Sequence, residues 1–385
     1  MIPYGRQDIN EQDIQSVIDV LKSDFLTQGP KVPEFESKLK NITGANYAVA
    51  MNSATSALHA ACLALEVGKG DIVWTSPITF VASSNCALYC NAEVDFVDID
   101  SKTYNMCPDK LEEKLKIAKR NNKLPKVVIP VHLAGQSCDM KRISRLAQEY
   151  GFSIIEDASH AIGGMYEGKP IGDCRYSRIT IFSFHPVKII TTAEGGAALT
   201  NDHDINDRLL LLRSHGITRD EKQMVNISHG PWYYEQVGLG FNYRMTDLQA
   251  ALGSSQVHRV KEFIGKRHEV AEVYNENLKE LPLILPYQES NTYSAYHLYV
   301  IRLKLKELGK SHKDVFVQLR EEGIGVNLHY IPVYLQPYYK RLGFEQGYCP
   351  EAEAYYASAL SIPMFSSLSE DDLAAVTSKI RKVVS

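Results

Sequence analysis

No apolar run in this chain is long enough to cross a membrane. A spanning helix takes about 20 such residues, and no stretch of even about 18 occurs. A secretory pattern is missing as well: Met1-Ile2-Pro3-Tyr4-Gly5-Arg6 has no apolar core behind it, and Asp8, Glu11 and Asp13 follow at once. Neither sign of charge dominates. The 42 Lys and Arg stand against 46 Asp and Glu, a net charge of -4, so no basic field points to nucleic acid or to an anionic lipid surface. Cysteine is scarce and carries no metal spacing: seven residues, with no C-x-x-C pair. Cys86 and Cys90 lie one helical turn apart, but no His or Cys cluster accompanies them. All seven therefore read as reduced thiols, with neither a disulfide framework nor a bound metal. The expectation is a cytoplasmic protein that holds no metal and binds neither membrane nor nucleic acid.

What is present is ordinary for a globular chain of 385 residues: 44 % apolar and 23 % charged, enough for one large domain and a smaller one. Short apolar runs alternate with helix-period segments. Strands are predicted at 47–51, 72–75, 93–97, 126–131, from 154 and at 196–200. Helices are predicted at 57–65, 80–90, 108–118, 140–150 and 205–213. This alternation predicts an α/β fold whose large domain is a mainly parallel central sheet flanked by helices. Residues 1–30 read as an N-terminal segment associated with the small domain, and 31–255 as the large domain. Residues 256–385 read as a linking helix and a small α+β C-terminal domain. Thr246 is the expected N-cap of one long helix running to 278. Beyond it, strands are expected at 297–303 and 326–330, and helices at 313–322, 351–360 and 370–384.

In a sheet of this kind ligands sit beyond the carboxyl ends of the strands, where the polar clusters fall. Ile154-Ile155-Glu156-Asp157 is an apolar run ending in acid. About thirty residues later Lys188 follows an aromatic-rich strand. A carboxylate and a lysine on neighbouring strand ends meet the needs of pyridoxal phosphate: the lysine as Schiff-base anchor, the acid on the pyridinium nitrogen. Each residue also has an ordinary reading. A lysine there is usually a solvated charge, but Lys188 stands between Pro186-Val187 and Ile189-Ile190, where partial desolvation would depress its pKa. Asp157 alone would serve as a helix cap. His160 suits either a ring hydroxyl or a local partner. Ser53-Ala54-Thr55-Ser56 offers hydroxyls and amides at a helix N-terminus, as a phosphate seat or merely as a cap. Ser183 is a second phosphate candidate. Phe80 is either a stacking partner for a ring or a core aromatic. Gly163-x-x-x-x-Gly168-Lys169 imitates a phosphate loop, but Pro170 replaces the required hydroxyl residue, so 165–171 reads as a hairpin tip.

Taken together, the motifs Asn52-Ser53-Ala54-Thr55-Ser56, Pro77-Ile78-Thr79-Phe80, Glu156-Asp157-Ala158-Ser159-His160, Ser183-Phe184-His185-Pro186-Val187-Lys188 and Gly240-Phe241-Asn242-Tyr243-Arg244 resemble one family. It is the DegT/DnrJ/EryC1/StrS family of fold-type I, pyridoxal-phosphate-dependent aminotransferases of nucleotide sugars. The likeness runs from Tyr4 to about Pro363. It implies that Lys188 is the catalytic Schiff-base lysine and Asp157 the pyridinium partner. It implies that Ala54, Thr55 and Ser183 hold the phosphate and that Phe80 stacks on the ring. Asn242 would reach the neighbouring subunit's phosphate site, which implies a homodimer with shared active sites. Position 160 is commonly glutamine in the family; His160 departs from that pattern, though both reach a ring hydroxyl.

Within the family, Leu26-Thr27-Gln28-Gly29-Pro30, His160 and Gly230-Pro231-Trp232-Tyr233-Tyr234 resemble the pseudaminic acid branch. That branch aminates C4 of a UDP-linked 4-keto-6-deoxy N-acetyl sugar, with L-glutamate as the expected amine donor. Aminators of C3 and C4 share the core motifs, so the sugar, the carbon and the choice of UDP or dTDP stay open. Tyr4, Arg6, Lys31, His329, Tyr330 and Tyr334 are candidate contacts to the nucleotide sugar, with a structural role equally open for each; Arg219 and Arg244 are further candidates. Three rivals remain. A dehydratase of the same fold commonly has histidine in place of the lysine. A sensor predicts a DNA-binding appendage or a broken site. Decarboxylation or aldol cleavage would use the same lysine and acid.

Overall fold

Apolar runs with no polar alternation cannot leave a face in water, so they end between two layers of helices. In the computed structural model, which describes residues 1–385, seven strands form one sheet, and all but the edge strand Glu93–Phe96, which alternates polar and apolar residues, are such runs. The strands are β1 (Tyr47–Met51), β2 (Ile72–Thr75), β3 (Glu93–Phe96), β4 (Val127–Ile129), β5 (Ser153–Asp157), β6 (Ile179–Ser183) and β7 (Gly196–Thr200). Their order is β1-β7-β6-β5-β4-β2-β3. Pairing is parallel from β3 through to β6, while β7 runs antiparallel to both β6 and β1. The sheet is mainly parallel and flanked by helices, as the alternation predicts.

Residues one apart along a strand serve opposite cores. Val49, Ile181 and Ala198 pack with α3 (Ala54–Ala64) on one face. Ala50, Phe182 and Leu199 pack on the other, with Phe35 and Leu39 of the helix Lys31–Thr43 and Phe263 of the helix Val260–Leu278. A third core belongs to the C-terminal part. There Leu283–Ile284, Tyr299–Leu303 and Ala359–Ile362 form an antiparallel sheet, covered by the helices His312–Glu321 and Glu370–Val384. The chain start joins this part: the Ile2 amide donates to Gly323 (2.9 Å) and its carbonyl accepts from Gly325 (2.7 Å). The first helix, Glu11–Leu21, lies instead on Asp247–Val257, where Gln256 donates to the buried Asp13 at 2.6 Å.

Three expectations are corrected. The helix capped by Thr246 stops at Val257, and a second runs over Val260–Leu278; Arg259, between them, leaves helical geometry and pairs with Asp8 at 3.1 Å. The strand expected at 326–330 contracts to one bridge, Asn327 with Ser361, because the chain turns there into a cleft beside the large sheet. The helix expected at 351–360 ends at Tyr356, because Ala359–Ile362 is wholly buried and completes the small sheet. The hairpin tip is present, pairing Met165–Tyr166 with Lys169–Pro170. No helix is long and apolar enough to cross a membrane.

Candidate active site

Strand order brings the sequence candidates together. β5 ends at Asp157, its neighbour β6 ends at Ser183, and Lys188 lies in the turn that follows. Because β7 runs antiparallel, its first residue, Gly196, meets the start of α3. A Cβ at Gly196 would lie 2.4 Å from the Ala54 amide nitrogen, so only glycine lets that helix end come so close. Ser53 caps α3 by accepting the Ser56 amide at 3.1 Å. The Ala54 and Thr55 amides have no partner inside the helix and remain free for an anion.

Asp157 is buried, and both its oxygens are engaged. Ser83 Oγ donates to Oδ2 at 2.6 Å and the Ser159 amide to Oδ1 at 3.1 Å; the Thr79 hydroxyl lies 2.7 Å from Ser83 Oγ. The Lys188 amine makes no hydrogen bond, while its backbone amide donates to His185 at 2.9 Å. Burial pulls the amine down to about 8, outweighing the opposing pull of Asp157. His160 is buried. Its Nδ1 accepts from the Ala134 amide (3.3 Å), which places the ring proton on Nε2, 3.3 Å from the Tyr330 hydroxyl. Burial and the nearby Lys188 hold His160 well below the usual histidine range, so it is neutral.

Lys188, Asp157, His160, Ser183, Ala54, Thr55 and Phe80 all line one cavity of ≈ 610 Å³. Tyr4, His329 and Tyr330 line it too. The other candidates lie elsewhere. The Arg6 guanidinium sits over Phe365, 6.0 Å from the ring centre. Lys31 pairs with Glu34 at 2.8 Å. Tyr334 is wholly buried in the large-domain core, its hydroxyl donating to Glu353 at 2.6 Å, so it has no face left for a ligand. Arg219 lies over Tyr234, and Arg244 bridges Met51. Asn242 is exposed outside the cavity, its carbonyl accepting from the Asn52 side chain at 3.3 Å. Sequence reasoning missed Ser83 and His297. Neither carries a local signal: Ser83 reads as one more helix residue, and His297 as the start of a strand.

These residues fit pyridoxal phosphate. The helix end offers unspent amides to a phosphate, and a buried carboxylate waits at the end of the neighbouring strand. An amine depressed to about 8 stands without a hydrogen-bond partner, and the Phe80 ring, 60 % exposed, is an apolar face that a planar ring would cover.

The sequence profile of the DegT/DnrJ/EryC1/StrS aminotransferase family matches residues 7–381. The chain belongs to that family. This aminotransferase is 38 % identical over 386 residues to a spore coat polysaccharide biosynthesis protein of Bacillus subtilis, spanning 100 % of this chain and 97 % of that one. It is 37 % identical over 394 residues to the UDP-4-amino-4,6-dideoxy-N-acetyl-beta-L-altrosamine transaminase of Campylobacter jejuni, spanning 99 % of each. Among solved structures it matches PseC of Helicobacter pylori, an aminotransferase of pseudaminic acid biosynthesis. That match has a TM-score of 0.90 at 29 % identity and covers 100 % of this chain and 99 % of the other. Enzymes of the family use pyridoxal phosphate, and this sugar aminotransferase uses it as cofactor.

Proposed function

We propose that this enzyme aminates C4 of a UDP-linked 4-keto-6-deoxy sugar, UDP-2-acetamido-2,6-dideoxy-beta-L-arabino-hexos-4-ulose. L-Glutamate gives the amine, and the product is UDP-4-amino-4,6-dideoxy-N-acetyl-beta-L-altrosamine, made in the cytoplasm for pseudaminic acid. The observation that carries the substrate is the end-to-end identity of 37 % with a transaminase named for that product.

Bound pyridoxal phosphate supplies an electron sink for a carbanion. This chain's residues do the rest. Lys188 anchors the cofactor. With the cofactor bound, the Lys188 Nζ would take the proton from the α-carbon of the donor amino acid and, in the second half-reaction, would deliver a proton to C4 of the sugar. At pH 7 roughly a tenth of an amine with a pKa of about 8 is neutral, far more than for an ordinary lysine. The Asp157 carboxylate holds positive charge on the ring nitrogen. The Ala54 and Thr55 amides and Ser183 Oγ seat the phosphate, Phe80 covers a ring face, and His160 approaches the ring hydroxyl. Tyr4, His329 and Tyr330 contact the sugar nucleotide. Asn242 completes the phosphate seat of a second subunit in a homodimer.

The purified protein, given glutamate and a panel of UDP- and dTDP-linked keto sugars, should convert the UDP-linked 4-keto sugar and release 2-oxoglutarate, read by product mass. Turnover of a dTDP-linked 3-keto sugar alone would reject this substrate. The shared site has its own test. Lys188→Ala and Asn242→Ala proteins, each weak alone, should regain activity when co-expressed, because mixed dimers carry one intact site. Failure to regain any activity in mixed dimers would place Asn242 outside the partner's site.

A further inference from the structure

Three buried imidazoles crowd the cavity, and two have a partner in the chain at each ring nitrogen. His160 is held by Ala134 and Tyr330. His329 is held by the Ser361 hydroxyl at 2.8 Å and by Asn327 at 3.4 Å. The third, His297, lines the same cavity and is 3 % exposed, yet its Nδ1 is enclosed with no partner of any kind. Its position is set from outside the ring. The ring lies 4.3 Å from that of His160, and its backbone carbonyl accepts from the buried Arg267 at 3.3 Å. Neither ring nitrogen has a hydrogen-bond partner in the chain, and a buried polar side chain left wholly without partners is rare and expensive; Nδ1 is enclosed, so only Nε2 can meet a ligand.

The ring is neutral, since burial, and after it the nearby Lys188 amine, oppose its protonation. A neutral imidazole carries one proton. Nδ1 has no acceptor near it, so a proton there would be wasted. The proton belongs on Nε2, the nitrogen left to the cavity side. His297 is then a hydrogen-bond donor aimed at bound ligand, with nothing in the chain to receive the bond.

We propose that His297 is a ligand-binding residue of this site, donating from Nε2 to an oxygen acceptor of the bound molecules: the ring oxygen of the cofactor or an oxygen of the sugar. The anionic phosphate is provided for at the far end, by the α3 amides; an uncharged donor beside Lys188 suits a hydroxyl or carbonyl oxygen instead. The sugar half of this assignment rests on the proposed substrate; the cofactor half does not.

The test compares His297→Phe and His297→Gln with wild type. Three quantities are read: the Tm of cofactor-free protein, the Kd for pyridoxal phosphate by absorbance titration, and the KM for the keto sugar. Phe keeps the ring shape and removes a polar group that has no partner, so the cofactor-free protein should be at least as heat-stable as wild type. The same substitution should cost about tenfold or more in cofactor Kd or in sugar KM. Gln places an amide N–H where Nε2 stood and should restore most of that loss. A loss in the Kd for pyridoxal phosphate assigns the oxygen to the cofactor, and a loss in the KM for the keto sugar assigns it to the sugar. Both constants within about twofold of wild type overturn the proposal. So does a Phe protein that loses several degrees of Tm without ligand while Gln restores neither constant. Wild-type protein that makes no product from the sugar would reject the proposed substrate, and the cofactor reading would still decide His297.

Discussion

Replacing Lys188 with Ala will lower turnover by at least about ten-thousand-fold, the upper end of what one positioned proton-transfer group supplies, because the same amine is also the covalent anchor. The protein should fold, since Lys188 makes no hydrogen bond that its loss would break. It should lose the near-visible absorbance of lysine-bound cofactor. A variant that kept more than about a hundredth of wild-type activity would remove Lys188 from the chemistry. The amine also sets a pH dependence. An ordinary lysine titrates at 10.5, and burial brings this one to about 8. The protonated form does not attack an aldehyde. The rate at which cofactor-free enzyme captures pyridoxal phosphate should therefore rise as pH climbs through about 8 and level off roughly a unit above. A rate still rising steeply near 10.5 would show an undepressed lysine.

Asp157→Asn should lower kcat/KM by more than about a hundredfold, roughly 3 kcal/mol, the scale on which removing one partner of a buried charge pair is felt. The substitution keeps shape and leaves an oxygen for Ser83 to donate to, so the fold around β5 should survive. What disappears is the negative charge that holds a proton on the ring nitrogen. The Asn protein should still bind cofactor through Lys188 and the phosphate seat, with its absorbance shifted. Activity within about fivefold of wild type would mean that Asp157 is structural, a tether for Ser83 and Ser159. Both predictions concern one short stretch of sheet edge, but they fail independently: in the proposed mechanism Lys188 acts by covalency and proton transfer, Asp157 only by charge.

Much of this site was legible because its signals are local. The run Ile154-Ile155-Glu156-Asp157 announces a buried strand with an acid at its end. Ser53 before Ala54 and Thr55 announces a helix start, and Thr246 announces another as its N-cap. Local patterns were less reliable where packing overrides periodicity. Residues 359 and 360 read as the end of a helix, yet Ala359–Ile362 is drawn into the small sheet by its partner Tyr299–Arg302. Tyr334 was a reasonable aromatic candidate from composition alone, yet its ring fills the core. Lys31 and Arg6 were reasonable cations, and within this chain each has a partner outside the cavity.

The chain's own order of residues determined most of the sheet's strands, the lysine proposed as anchor, the strand-end acid and the helix end proposed as the phosphate seat, since each is written within a handful of neighbouring positions. Only the tertiary structure decided which polar groups share one cavity. Ser83 meets Asp157 across 74 positions, and the His297 ring packs at a tilt against that of His160, 4.3 Å between centres. The reversed direction of β7, which brings Gly196 against Ala54, is likewise invisible in the letters. Periodicity reports what a residue does to its near neighbours along the chain. Convergence of distant residues depends on strand order and burial, which the whole chain settles at once.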